Sequence, residues 1–296
     1  MKTKSTVHTI FVCAGVAAAF GIFLASPVQA AAISFGGPAG FAWTSPLIQP
    51  NGTAHAVNTV GGPVMRLTDN VGNQAGSAFF INPFVIGHNT DFDSSFVFQM
   101  TSDPANPIAN RSDGLAFIIG GSPTALGNAG AGMGYGASPA LGHSVIVEFD
   151  TYQNGYDPSG SHVALTTDAH HTTALYSVNT PLPMDNGDHW RALIHYFGNT
   201  DFLSVNLTDL DQPGASAGFS YTIDIANTLG CGPAGCVDSY VGFSAGTGLG
   251  YANHDIVSWT MSVPEPGSPA LWGAGAAAFL LLRGAPHRRR VEKRLG

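Results

Sequence analysis

Basic side chains are almost absent from the central part of this 296-residue chain. Between positions 31 and 263 the basic residues are Arg66, Arg111 and Arg191, whereas seventeen residues are acidic, so this part has a formal charge of −14. A surface with this charge repels the phosphate backbone of DNA and RNA. The composition therefore excludes nucleic acid as a partner, and bound divalent cations would offset part of the negative charge.

Helical periodicity is also nearly absent between these positions. Short apolar or alternating runs recur instead, separated by Gly, Asn, Asp and Pro, as at residues 95–100, 115–119 and 144–149. This pattern is typical of β-sandwiches and barrels, and about 230 residues are enough for one large core. The sequence therefore predicts an all-β domain over residues 31–263, built as a jelly-roll sandwich of antiparallel sheets.

Cysteine is scarce, because the chain has three and Cys13 lies in the apolar segment near the N-terminus. The other two, Cys231 and Cys236, stand at the ends of the run Cys-Gly-Pro-Ala-Gly-Cys. In proteins that are exported, an even pair of this kind favours a small disulfide loop. Two free thiols are the alternative.

The first thirty residues have the pattern of a secretory signal peptide. Lys2 and Lys4 precede an apolar run at residues 10–24, and the small residues around Ala30 offer a cleavage site. Such a segment is removed during export and is not a stable membrane span. We therefore expect residues 1–30 to be a signal peptide and the mature protein to begin near Ala31.

Residues 264–296 have the features of a second sorting segment. Pro264, Glu265 and Pro266 are followed by a short apolar helix at about 270–282 and by an Arg-rich end. The apolar stretch is short for a hydrocarbon core of roughly 30 Å, and the arginines favour a cytoplasmic end. This tail resembles the PEP-CTERM sorting signal of Gram-negative bacteria. The resemblance implies transient anchoring in the inner membrane until an exosortase-type protease removes the tail. An ordinary single-span anchor is the alternative.

Six potential metal ligands lie within fifteen residues, namely Glu148, Asp150, Tyr152, Asn154, Asp157 and His162. The first three occupy alternate positions, which in a β-strand places them on one face. Carboxylates, an amide oxygen and backbone carbonyls suit Ca²⁺, whereas a histidine beside carboxylates suits a transition ion such as Mn²⁺ or Zn²⁺. The run predicts a two-metal site with shared aspartates, although any single residue in it could belong to a simple turn.

This run resembles the metal-binding signature of the legume (L-type) lectins, with Tyr152 and Tyr156 where that family usually has Phe and Trp. Four more segments resemble strands of that family and occur in the family's order, namely residues 76–83, 95–98, 190–196 and 241–259. They imply a concanavalin A-like fold that holds Ca²⁺ and a transition metal, with Mn²⁺ the expected ion. They also imply one sugar pocket shaped by the two metals.

The first part of the implied sugar pocket comes from two segments before the metal run. Asp113 stands where the family has an aspartate that accepts hydrogen bonds from two sugar hydroxyls and follows a cis peptide bond. The glycine-rich residues 130–134 stand where the family has a loop that donates a backbone N–H to the sugar. The alignment assigns this donor to Ala131, and a shift by one residue assigns it to Gly132.

The second part of the implied pocket comes from the metal run and from a late loop. Asn154 would ligate Ca²⁺ and donate to the sugar. Tyr152 would ligate Ca²⁺ with its carbonyl and offer its ring to the C–H face of the sugar. Leu249 and Gly250 would donate backbone N–H groups. Taken singly, Asp113 could be a turn residue, residues 130–134 a flexible loop, and the Tyr152 ring part of the core packing.

A glycoside hydrolase on the same sandwich is the strongest competing class. Laminarinase-type glucanases carry a Glu-x-Asp-x-x-Glu strand, and Glu148 and Asp150 match its first half. The second glutamate would fall at Tyr152 or Gln153, and neither is acidic, so hydrolysis by this mechanism is not expected. His170 and His171 are interpreted as exposed loop histidines.

We therefore expect an exported, non-catalytic lectin that binds a glycan or exopolysaccharide at the cell surface or in the extracellular matrix. Assembly into a homo-oligomer is left open. A structural matrix protein with an altered sugar site is the alternative.

Overall fold

The computed structural model describes residues 31–37, 40–102, 111–212, 214–232 and 236–263, with the side chains of residues 31 and 236–238 excepted. The predicted signal peptide, residues 1–30, and the predicted sorting tail, residues 264–296, lie outside the described residues. Within the described residues, no helix has the length and apolar character needed to cross a bilayer.

Two large antiparallel sheets form the domain, and the first has eight strands. Its order along the sheet is β14-β13-β12-β7-β17-β4-β3, and β1 also pairs with β17. The strands are β1 (Ala31–Gly36), β3 (His55–Thr59), β4 (Gly62–Thr68), β7 (Phe92–Thr101), β12 (His189–Phe197), β13 (Phe202–Asp209), β14 (Ser216–Thr222) and β17 (Asn253–Val263). Ala31 pairs with Val263, so the two ends of the described chain lie side by side in this sheet.

The second sheet has seven strands in the order β11-β10-β9-β8-β16-β5-β2. They are β2 (Ile48–Gly52), β5 (Ala75–Phe80), β8 (Gly114–Gly120), β9 (Ser144–Asp150), β10 (His162–Thr167), β11 (Tyr176–Asn179) and β16 (Val241–Gly246). A short two-stranded ribbon pairs β6 (Phe84–Ile86) with β15 (Cys236–Ser239). The described helices are one 3₁₀ turn, Gly130–Gly132, and the α-helix α1, Ile225–Thr228.

Aromatic side chains join the two sheets face to face. Phe96 of β7 has its ring centroid 5.7 Å from that of Phe117, 5.5 Å from that of Phe149 and 4.9 Å from that of Phe243. The Trp259 ring of β17 lies 5.0 Å from Phe243 in an edge-on arrangement. Buried aromatic side chains contribute large apolar areas and favour such offset and edge-to-face contacts. The core therefore lies between the sheets, and the predicted all-β sandwich of antiparallel sheets is confirmed.

Strand β9 sends alternate residues to two different cores. Val145, Val147 and Phe149 pack between the sheets, whereas Ile146 belongs to a second apolar cluster on the outer face of the seven-stranded sheet. That cluster includes Tyr135, which lies in the long segment between β8 and β9. Because side chains alternate along a strand, Glu148 and Asp150 share the outer face with Ile146 and lie under the covering segment.

Cys231 is disulfide-bonded. The side chain of Cys236 lies outside the part of the chain whose side chains are described, so the pairing of these two cysteines stays a prediction.

Candidate functional site

Four neighbouring strands of the seven-stranded sheet have their ends side by side, and the predicted site residues lie at or just beyond these ends. His162 of β10 pairs with Asp150 of β9, Asp150 also pairs with Gly114 of β8, and Gly114 pairs with Gly246 of β16. We call this row of strand ends the site edge. The segments that continue from it are residues 111–113, 151–161 and 247–252. Three separate parts of the predicted site therefore leave the sheet at the same place.

Asp150, Asp157 and His162 form a cluster whose potential ligand atoms all lie within 4.8 Å of one another, and we call it the metal cluster. The imidazole Nδ1 of His162 lies 3.1 Å from the carbonyl oxygen of Ser159. Because a carbonyl only accepts, Nδ1 is the donor and Nε2 keeps its lone pair. Nε2 lies 3.9 Å from Asp157 Oδ1. A histidine oriented in this way is typical of a metal ligand.

Backbone N–H groups hold both aspartates of the metal cluster. The Tyr152 N–H donates to Asp150 Oδ1 at 2.7 Å, and the Asn154 N–H donates to Asp157 Oδ2 at 2.7 Å. Burial still raises the pKa of both carboxyls. Buried carboxylates without a compensating charge are unfavourable. A divalent cation supplies that charge, so this donor set fits the predicted metals.

Glu148 is 5% exposed and stands apart from the metal cluster. The hydroxyl of the fully buried Tyr135 donates to Glu148 Oε1. Burial, followed by the negative charge of Asp157, raises the pKa of Glu148 to about 8. Tyr135 was not predicted, because it lies thirteen residues before Glu148 in a glycine-rich segment that carries no ligand pattern.

Asp113 is buried beside the metal cluster, and the Ser112–Asp113 bond is cis, as predicted. Its N–H donates to the Gly246 carbonyl at 2.9 Å, and its carbonyl accepts from the Thr151 N–H at 2.9 Å. Burial raises the pKa of the Asp113 carboxyl to about 6, against the opposing effects of the Ser112 hydroxyl and the Gly248 backbone. The backbone of Asp113 is therefore fixed between β16 and the segment that follows Asp150.

Two glycine-containing loops approach the Asp113 carboxylate. A Cβ added to Gly248 would lie 3.2 Å from Asp113 Oδ2, and a Cβ added to Gly130 would lie 4.0 Å from the same atom. The loops also contact each other, because the Gly130 N–H donates to the Thr247 carbonyl at 3.0 Å. The structure therefore brings Asp113 together with the loops at 130–134 and 247–251. Gly130 and Gly248 are contacts that the sequence analysis did not assign.

The remaining residues of the predicted pocket lie around these loops. The Gly132 N–H donates to the Ala129 carbonyl at 3.3 Å, whereas Ala131 lies in the first turn of the 3₁₀ helix. Leu249 is 96% exposed and next to Gly250, whose carbonyl accepts from the Gly248 N–H at 3.0 Å. Backbone donors in a first helical turn lack intrahelical acceptors, so Ala131 is better placed than Gly132 to donate outward.

Tyr152 and Asn154 lie beyond the end of β9, which stops at Asp150. The interpretation of Glu148, Asp150 and Tyr152 as one strand face is therefore wrong for Tyr152. A bend replaces the strand because the Tyr152 N–H turns back to the Asp150 carboxylate. Tyr152 is 40% exposed, and Asn154 is half-buried.

His170 is exposed, as predicted, whereas the prediction for His171 is wrong. His171 is half-buried, and its ring centroid lies 6.5 Å from those of Tyr135 and Tyr156. Burial lowers its pKa. The loop folds back over the sheet, which the sequence pattern could not indicate.

One serine pattern of hydrolases occurs in the chain but has a structural role here. Residues 242–246 read Gly-Phe-Ser-Ala-Gly, which matches the Gly-x-Ser-x-Gly of a nucleophile elbow. A true elbow exposes its serine on a strand-to-helix turn. Ser244 instead lies inside β16, is fully buried, and donates its hydroxyl to the Met133 carbonyl at 2.8 Å. This serine is therefore not a nucleophile.

Comparison with known proteins points to one family. The Legume lectin domain family matches residues 40–271. The basic agglutinin of Psophocarpus tetragonolobus is 30% identical over 209 residues, which cover 66% of this chain and 81% of that protein. The alpha-methyl-mannoside-specific lectin of Arachis hypogaea is 30% identical over 184 residues, which cover 58% of this chain and 60% of that protein. The chain thus spans less than two thirds of the Arachis protein.

Solved structures agree with this result. The crystal structure of basic winged bean lectin with Tn-antigen superposes with a TM-score of 0.66 and 25% identity, covering 81% of this chain and all of that one. These relatives and structural neighbours are non-catalytic lectins, which agrees with the expectation that this chain is not an enzyme. The protein described here belongs to the legume lectin domain family of carbohydrate-binding proteins.

Proposed function

We propose that this protein binds a glycan in a pocket around Asp113, and that Ca²⁺ and a transition metal hold the pocket in its binding conformation. The observation that carries the proposal is the site edge. Gly114, which follows Asp113, and Gly246, which precedes the 247–251 loop, pair in the same row as Asp150 and His162. The predicted sugar acceptor and the metal cluster are therefore neighbours.

The proposed pocket combines one acceptor with several donors. The Asp113 carboxylate accepts hydrogen bonds from two sugar hydroxyls, which is the role that an ionised carboxylate can fill. The backbone N–H of Ala131 donates, with Gly132 as the alternative, and so do those of Leu249 and Gly250. The approach of Gly130 and Gly248 to Asp113 supports this arrangement, because loops without side chains let a sugar lie close to the backbone.

The half-exposed ring of Tyr152 gives the pocket its apolar side. Sugar C–H faces pack on aromatic rings while the hydroxyls remain free for hydrogen bonds. The Asn154 side chain donates to the sugar and ligates Ca²⁺. Tyr152 and Asn154 follow Asp150 directly, so their positions depend on the conformation of the segment that the metal cluster holds.

Two ions fit the buried acidic groups. Ca²⁺ would be held by Asp150, Asp157, the Asn154 side chain and the Tyr152 carbonyl, an all-oxygen set of the kind that Ca²⁺ prefers. The transition metal, with Mn²⁺ expected, would be held by Glu148, Asp150, Asp157 and His162. The metals supply positive charge and rigidity, so less ordering entropy is lost when sugar binds.

The proposal places the protein outside the cytoplasm. The signal-peptide pattern at residues 1–30 and the tail pattern at 264–296 support export, transient anchoring in the inner membrane and processing by an exosortase-type protease. The protein would then bind exopolysaccharide at the cell surface or in the matrix. Assembly into a homo-oligomer remains part of this proposal.

A glycan array tests the proposal directly. The protein is applied with Ca²⁺ and Mn²⁺ and again after chelation, and metal-dependent binding to a set of related glycans is expected. The similar proteins do not indicate which sugar binds here. The Arachis lectin is named for a mannoside, whereas a structural neighbour, the winged bean acidic lectin, was solved with methyl-alpha-D-galactose. Unchanged binding after chelation would contradict the metal-dependent part.

The variant Asp113→Ala separates a working pocket from a structural matrix protein with an altered site. It should lose sugar binding while it keeps the fold and the metals. Asp211→Ala is the matched control, because Asp211 is an exposed carboxylate that contacts His189 and lies outside the site. Equal glycan binding by Asp113→Ala and Asp211→Ala would reject the role of Asp113. Absence of glycan binding by the wild type would favour the matrix protein.

A further inference from the structure

A polar cavity of about 310 Å³ lies beside the metal cluster and has two histidines in its wall. Its lining includes Glu148, Asp157 and His162, which belong to the predicted metal set, and also His171. His171 comes from the loop after β10 and has no place in the metal-binding signature. The fold thus places a second imidazole in the wall of the cavity beside the metal cluster, outside the three residues whose ligand atoms lie within 4.8 Å of one another.

The orientation of the His171 ring is fixed by a close approach to the backbone. A Cβ added to Gly136 would lie 2.6 Å from His171 Nδ1 and 3.0 Å from Cγ. The Nδ1–Cγ edge therefore faces Gly136, and the edge that carries Nε2 faces away from it. Glycine at position 136 is what allows the ring to approach so closely.

Two tyrosines connect this ring to the metal residues. Tyr135 makes an edge-on contact with His171 and binds Glu148 with its hydroxyl. Tyr156 makes a similar edge-on contact and directly precedes Asp157. Asp157 also attracts His171 electrostatically, as it attracts His162. His171 is thus held beside the metal cluster by contacts with both sides of the cavity.

We propose that His171 supplies a second imidazole ligand to the transition-metal position, from its Nε2, and so makes this position selective for ions that favour nitrogen. The inference rests on the proposed metal-organised site and goes beyond it, because it adds a ligand and changes the preferred ion. Zn²⁺, Co²⁺ and Ni²⁺ gain more than Mn²⁺ when an imidazole joins a carboxylate set. Mn²⁺ would still bind, but more weakly than Co²⁺ or Zn²⁺.

The test compares metal affinities of the full-length protein and two variants, His171→Ala and the matched control His170→Ala. Co²⁺, Zn²⁺ and Mn²⁺ are titrated separately in saturating Ca²⁺. Loss of a residue that only orients a metal ligand weakens metal binding by about 10- to 100-fold, and loss of a ligand should weaken it at least as much. We expect this loss for Co²⁺ and Zn²⁺ in His171→Ala, a much smaller loss for Mn²⁺, and none for any ion in His170→Ala.

Proton NMR of the Co²⁺-loaded protein tests ligation itself. Each histidine bound to Co²⁺ has a strongly shifted, exchangeable ring N–H signal. The wild type and His170→Ala should show such signals for two histidines, and His171→Ala for His162 alone. A single signal in the wild type would overturn the proposal, as would equal weakening of all three ions in His171→Ala, which would indicate general distortion.

The metal-binding experiments and the glycan array test separate statements, so either one can be rejected without the other. If His171→Ala loses Co²⁺ affinity but no glycan binds, the inference about the metal ligand holds and the proposed function does not. If glycans bind in a metal-dependent way while His171→Ala binds Co²⁺ like the wild type, the proposed function holds and the second imidazole ligand is rejected.

Discussion

Raising the pH should destabilise the metal-free protein through Glu148. This carboxyl is buried beneath Tyr135, and its pKa rises to about 8, mainly through burial. A group whose pKa is higher in the folded state than in the unfolded state binds more protons when folded. Its contribution to stability is complete below the unfolded pKa and is lost as the pH rises through the folded pKa.

The size of the loss follows from the two pKa values. Glu148 has an ordinary pKa of 4.5 and a folded pKa of about 8. At about pH 6.5 the folded state keeps this proton and the unfolded state does not, so linkage predicts a loss of about 2 kcal/mol between about pH 6.5 and about pH 8.5. The raised pKa of Asp150 acts in the same direction. His162 and His171 have lowered pKa values, so they change the free energy of unfolding at lower pH, outside this range.

Urea unfolding of the chelated protein at the two pH values measures this effect. Glu148→Gln is the matched control, because glutamine keeps an acceptor for the Tyr135 hydroxyl and cannot titrate. Between the two pH values, the free energy of unfolding of Glu148→Gln should fall less than that of the wild type. Saturating Ca²⁺ and Mn²⁺ should abolish or reverse the loss, because metal ligands bind in their deprotonated form. Equal losses in the wild type and Glu148→Gln would refute the reasoning about this carboxyl.

Three further outcomes are expected. Sugar affinity, measured by calorimetry with metal occupancy verified, should fall about tenfold per pH unit below about pH 6, because protonated Asp113 no longer accepts from two hydroxyls; a flat profile would contradict this. Tyr152→Ala should weaken sugar binding about tenfold while metal affinity stays unchanged, because the expected metal ligand of Tyr152 is its carbonyl. Tyr152→Phe should bind like the wild type. Phe96→Ala should lower the free energy of unfolding in urea by about 3–5 kcal/mol, and a loss below 1 kcal/mol would contradict its central place in the core.

The fold was predictable because its signals are local. Alternation in β9 separates Val145, Val147 and Phe149 from Glu148 and Asp150, and the structure keeps that separation. Strand ends were less predictable. The run 95–100 belongs to β7, Phe92–Thr101, because the flanking polar residues also pair with β12 and β17. Such pairing depends on distant strands and leaves no mark in the local sequence.

The site was predictable where chemistry and spacing coincide in one run. Asp150, Asp157 and His162 carry ligand side chains within thirteen residues, and they do converge. Tyr135 and His171 reach the same place from loops on either side of β9 and β10, so their roles depend on how those loops fold over the sheet. Gly248 was missed for another reason. A glycine contributes to a pocket by the side chain that it lacks, and one sequence cannot distinguish that from flexibility.

The metal cluster and the proposed sugar pocket are connected by hydrogen bonds that backbone N–H groups donate. The Thr151 N–H donates to the carbonyl of Asp113, while the Tyr152 N–H donates to the Asp150 carboxylate. Ionised carboxylates accept such bonds more strongly than neutral groups. Where a cation keeps Asp150 ionised, it therefore also holds Tyr152 against the end of β9. The N–H of Asp113 itself is held by the Gly246 carbonyl, which belongs to the sheet. The acceptor of the pocket thus depends on the fold, whereas the position of the Tyr152 ring would also depend on the metals if they bind as proposed.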